Sequence, residues 1–211
     1  VFIRLVFRSS YHVPIAGLTL IPVLLKWPLI LLPVHIVFLE LIIDPACSVV
    51  FEAEPEEADV MRRPPRNTRE PIFGRRSIIL SLLQGASVLA IVLAVFLVAR
   101  HLGHDLYDSR ALIFVTLVVA NLSLIFTNRS WSRTVVSTLR MRNDALWWVA
   151  GGAFALLLTA LYVPFLQELF RFGMLHFIDL VICLSAGVGS ILWFELVKMF
   201  NHRRSAARGV E

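Results

Sequence analysis

Six blocks of apolar residues, each about as long as a bilayer crossing needs, constrain this chain more than any other feature. They cover approximately residues 11–27, 30–51, 77–99, 111–127, 145–163 and 176–197, and a membrane-spanning helix takes about 20 mainly apolar residues. The stretch from Leu89 to Ala99 holds no charge at all. Six such blocks exceed what a single core of 211 residues could bury. Composition agrees, with 58% hydrophobic residues and a mean hydropathy of +0.77, against about half apolar in ordinary soluble domains. The sequence therefore predicts an all-α membrane protein, a bundle of about six transmembrane helices with the lipid bilayer as its first partner. Pro14 and Pro22 interrupt the first block, and the short fourth block carries Asn121 near its middle.

Basic residues orient the bundle, because short cytoplasmic loops collect Lys and Arg. With both termini cytoplasmic, the inner segments are 1–10, 52–76, 128–144 and 198–211, and they hold 16 of the 20 basic residues. The outer segments hold Lys26, Arg100, Arg110 and Arg171. The net charge of +5 thus reports orientation and contact with anionic lipid, and no nucleic-acid partner is expected.

The polar segments add less. Residues 52–76 begin acidic, turn basic and are rich in proline, which predicts a solvated cytoplasmic loop. Trp131, Trp147 and Trp148 suit a membrane interface. Glu195 and Lys198, three apart, predict an ion pair along one helix face. His101, His104, Asp105 and Asp108 match no standard ligand spacing and predict a solvated turn. Cys47 and Cys183 fall inside predicted spans, with no paired-cysteine motif. No cleavable leader pattern occurs near the start, and a chain that opens at Val1 predicts a piece of something longer.

The second block is where chemistry is expected. Glu40 and Asp44 lie four residues apart, one turn apart on one helical face. A carboxylate in the bilayer core costs about 2.5 kcal/mol or more, so two in one span need a reason. Pro45 has no N–H, which deprives the carbonyl of Leu41 of its helical donor, and its ring disfavours helix at Asp44. Local unwinding over 41–46 is therefore predicted, with carbonyls and carboxylates forming an oxygen cage suited to a hard cation such as Ca²⁺. Pro14 and Pro22 would likewise free the carbonyls of Ser10 and Leu18, so Ser10, Tyr11 and His12 are candidates to face the same cavity. His12 and His35 read more readily as packing or hydrogen-bonding residues than as ligands.

The run from Leu32 to Pro45, followed by Glu54-Pro55 and by Met61-Arg62-Arg63-Pro64-Pro65-Arg66, resembles the sixth membrane helix and following loop of P-type cation-transporting ATPases, nearest the calcium-pump-like branch and its bacterial relatives. The resemblance covers essentially the whole chain, residues 1–211, as the C-terminal transmembrane domain, and implies a bacterial plasma-membrane location. It implies that Glu40 and Asp44 fall on liganding positions. Asp44 matches directly, whereas Glu40 stands where calcium pumps commonly have Asn. Asn121 falls near a contributing position of the eighth helix, while Val118 stands where two-site calcium pumps have an acid, so one cation site is expected.

The resemblance further implies an N-terminal remainder with actuator, phosphorylation and nucleotide domains. Asp-Lys-Thr-Gly-Thr and Gly-Asp-Gly do not occur in this chain, so ATP and Mg²⁺ would act only through those other domains. Two other readings use the same residues: an ATP-independent proton-coupled cation transporter, and a non-catalytic membrane subunit derived from a pump.

Overall fold

A computed structural model describes residues 2–53, 75–129 and 143–208. The interior of the 52–76 loop, the Met61 to Arg66 motif and Trp131 lie outside the described residues, as do the side chains of Arg4, Arg8 and Lys198. The described residues form seven helices: α1 (Phe2–Leu24), α2 (Pro33–Glu52), α3 (Arg75–His101), α4 (Leu106–Asn128), α5 (Asp144–Tyr162), α6 (Pro164–Phe170) and α7 (Phe177–Arg208).

Five of them are long and apolar enough to cross a membrane: Pro33–Glu52, Ile78–His101, Leu106–Asn128, Asp144–Tyr162 and Phe177–Leu196. The first block lies on α1, which runs 23 residues from Phe2 to Leu24, and its side chains are described from Ser10 onward. The helix stops because Lys26 takes a left-handed conformation (φ 55), and Trp27 N–H then reaches back to Pro22 O at 2.8 Å. This is the Schellman cap, built here on a non-glycine residue. Gly103 (φ 86) closes α3 and Arg171 (φ 52) closes α6 in the same way, through His104 N–H to Ala99 O and Phe172 N–H to Gln167 O.

The bundle is organised around α4. In its apolar window 89% of residues are buried, against 28–33% in the other four spans. α7, α3, α1, α2 and α5 all pack on it, and α1 lies along α3. Close crossings rely on glycine, as in membrane bundles generally. A Cβ on Gly85 of α3 would strike the Ser10 carbonyl and sit 2.6 Å from Val13 Cβ of α1. One on Gly187 of α7 would lie 2.6 Å from Val119 of α4.

Polar side chains tie the two ends of the bundle. At one end, Ser10 Oγ donates to Gln84 Oε1 (3.1 Å), and the Gln84 and Asn128 amides face each other at 3.4–3.5 Å. There Asn143 caps α5 and its Nδ2 donates to Val50 O at 3.2 Å. At the opposite end, the buried Arg110 donates to Ile30 O (3.1 Å), Leu29 O (2.9 Å) and Arg171 O (3.3 Å). Arg110 was expected in an outer loop and instead belongs to α4, gathering the α1–α2 and α6–α7 connections around it.

Candidate cation site

α2 starts at Pro33, whose missing N–H costs nothing at the first helical turn. His35 secures that start. Its Nδ1 accepts from Leu32 N–H (2.9 Å), which places the proton on Nε2 for the bond to Phe170 O (2.8 Å). The ring is fully buried and stacks on Phe172, with centroids 5.1 Å apart and planes within 6°. Both nitrogens are therefore used structurally, and His35 is no ligand in this arrangement.

From there α2 runs without a break through Pro45 to Glu52. The unwinding expected over 41–46 is not present. Proline inside a helix removes one hydrogen bond and crowds one carbonyl, and packed neighbours can hold such a helix together in a membrane. Leu39, Ile43, Ala46, Cys47 and Val50 are buried on both sides of the proline and supply that packing. Ser48 Oγ also donates to Asp44 O at 3.0 Å. The effect of Pro45 is local: the Leu41 carbonyl still has no N–H at position 45 to bond.

Glu40 and Asp44 flank the buried stripe of α2 and are both half-buried. Val37, Leu41 and Val49 beside them are 65%, 72% and 49% exposed, so this face of α2 is not covered by the rest of the chain. Across from Glu40 stands His12 of α1, with Nε2 to Oε1 at 3.6 Å. Ser10 is differently placed: its hydroxyl is given to Gln84, and its carbonyl packs on Gly85 of α3. Tyr11 is fully buried.

Asn121 has the least ordinary environment. It is fully buried in α4, and neither its Nδ2 nor its Oδ1 has a hydrogen-bond partner among the described residues. Such an amide carries a desolvation penalty of about 1–3 kcal/mol unless something else binds it. Val118 is buried one turn away and offers only hydrocarbon. Among the described residues no three His, Cys, Asp or Glu side chains converge as a metal-binding group. The His101 to Asp108 segment is the turn from α3 into α4, where Asp105 caps α4 by accepting from Asp108 N–H at 2.7 Å.

Residues 28–200 match the family model described as cation transporting ATPase, C-terminus. The chain belongs to that family. A calcium-transporting ATPase of Bacillus subtilis is 30% identical over 153 residues, 72% of this chain and 17% of its own length. Human calcium-transporting ATPase type 2C member 1 is 26% identical over 201 residues, covering 93% of this chain and 22% of the relative. Human type 2C member 2 is 24% identical over 205 residues. The chain thus spans about a fifth of the length of these P-type ATPase relatives. The described residues form a multi-pass helical membrane bundle of that family, as the resemblance on α2 implied.

Sequence reasoning did not find Arg110, Gln84 or Asn128. Each is a polar residue with hydrogen-bond partners 44 or more positions away. The only signal available was a polar side chain inside or beside an apolar block.

Proposed function

We propose that this chain carries the cation path of a Ca²⁺ pump of the P-type, in a bacterial plasma membrane, driven by ATP-using domains in the N-terminal remainder. Glu40 and Asp44 supply negative charge, the Leu41 carbonyl and the Asn121 amide supply neutral oxygens, and the cation is the cargo. Oxygen-only donors of this kind suit Ca²⁺ over softer metals. Ser10, with its hydroxyl given to Gln84, acts by fixing α1 and not as a direct ligand. The observation that carries the reading is the pair of half-buried carboxylates one turn apart in a membrane span, on a face that the rest of this chain leaves open. The remainder of the pump would cover that face and complete the coordination.

Glu40→Gln and Asp44→Asn, made in the complete pump, should each abolish Ca²⁺-dependent ATP hydrolysis. Unchanged Ca²⁺ affinity in both variants would remove the assignment. Pro45→Ala restores the N–H that Leu41 lacks, and should weaken Ca²⁺ binding by about tenfold, the value of one charge-assisted contact. A second reading rests on the His12–Glu40 contact, which is chemistry suited to carrying a proton. Under it, transport would follow a proton gradient with no ATP requirement.

A further inference from the structure

At the end of the bundle that holds Arg110, the outer end if the basic loops face the cytoplasm, a cavity of about 480 Å³ opens between α4 and α6, lined by Tyr107, Pro164, Gln167, Glu168, Arg171 and Phe172. Its size falls within the range of small-molecule sites. Three of its walls are a carboxylate, a guanidinium and a primary amide, with Glu168 and Arg171 exposed and Gln167 half-buried. Arg171 is held at the rim by its left-handed cap, because α6 ends there. Tyr107 lies under the Arg110 guanidinium, 5.7 Å from ring centroid to Cζ.

The cavity also lies at the end of an apolar span. α6 follows Asp144–Tyr162, long and apolar enough to cross a membrane, after one residue, Val163, so it starts where that apolar stretch ends. Phe165 and Leu169 of α6 are 73% and 49% exposed and sit beside the polar lining, where acyl chains would lie. We propose that this cavity binds a zwitterionic phosphate ester, the headgroup of an outer-leaflet phospholipid of the phosphatidylethanolamine type. Arg171 matches the phosphate, since guanidinium groups pair with phosphate oxygens in a fixed fork. Glu168 meets the ammonium, and Gln167 and the Tyr107 hydroxyl offer further polar contacts. A purely anionic headgroup would place its charge against Glu168, and a simple cation would face Arg171. The inference does not rest on the cation reading of α2.

The test uses the full chain, loaded in detergent with equal phosphatidylethanolamine and phosphatidylglycerol, with retained lipid counted by native mass spectrometry. Wild type should retain phosphatidylethanolamine preferentially. Glu168→Gln and Arg171→Gln should each lower that preference about fivefold, the upper range for an exposed ion pair. Glu168→Lys should turn the preference toward phosphatidylglycerol, a gain that no folding defect produces. A parallel arm adds soluble glycerophosphoethanolamine to the chain in phosphatidylglycerol micelles and follows the unfolding midpoint. A rise that Glu168→Gln and Arg171→Gln remove would show that the headgroup suffices without acyl chains. Lipid ratios unaltered by all three variants, together with no response to the soluble ester, would overturn the proposal.

Discussion

Asn121→Leu should make the protein more stable without cation and blind to it with cation. The side chain is fully buried and both polar atoms of its amide lack partners. Leucine keeps the branched shape while removing the donor and the acceptor. Relief of desolvation is worth about 1–3 kcal/mol, and imperfect packing of the new methyls takes back up to about 1 kcal/mol. The expected net gain is about 1–2 kcal/mol in the cation-free protein. Wild type, by contrast, should gain about 2.7 kcal/mol at a Ca²⁺ concentration of 100 Kd, and Asn121→Leu should lose most of that increment. Equilibrium unfolding of the detergent-solubilised protein, run with chelator and with Ca²⁺, reads both quantities. A variant destabilised by more than about 1 kcal/mol in chelator would mean that the amide is partnered after all. A full Ca²⁺ increment in the variant would remove Asn121 from the site.

Three further outcomes follow from the packing. Arg110→Met deletes three hydrogen bonds to the carbonyls of Leu29, Ile30 and Arg171, and should cost about 3–5 kcal/mol in the same unfolding assay; Arg110→Lys, which cannot reach all three, should recover only part. Gly85→Ala places a methyl against the Ser10 carbonyl and Val13, and should destabilise by about 1–3 kcal/mol. Gly152→Ala, with nothing within 4 Å of the added carbon, should be neutral or stabilising by up to about 1 kcal/mol, the helix-propensity difference. Equal losses at the two glycines would refute the close-crossing account of α1 and α3.

The spans and their order were legible because bilayer crossing imposes a length and an apolarity that no neighbouring residue can hide. The acids of α2 were legible for the same reason, since Glu40 and Asp44 are costly where they stand. Pro45 misled in one respect. Its chemistry predicts a broken helix, but burial of Leu39 and Ile43 before it and Ala46, Cys47 and Val50 after it holds α2 continuous. Burial of this kind depends on α4 and α5, which no local window contains. Lys26 was equally unreadable, because a left-handed lysine looks like any lysine until Trp27 N–H finds Pro22 O. The pairing of Gln84 with Asn128 belongs to tertiary structure alone.

The near-complete enclosure of α4 has a consequence for how the protein is made. α4 leaves the ribosome long before α7, yet α7 packs along it and Cys183 donates to its Leu112 carbonyl at 3.3 Å. Until α7 arrives, Thr116 and the Leu112 carbonyl stand on a helix open to lipid on the side that α7 will occupy. Nascent chains halted before residue 177 should therefore be held by the insertion machinery or degraded, while those that include α7 should be released.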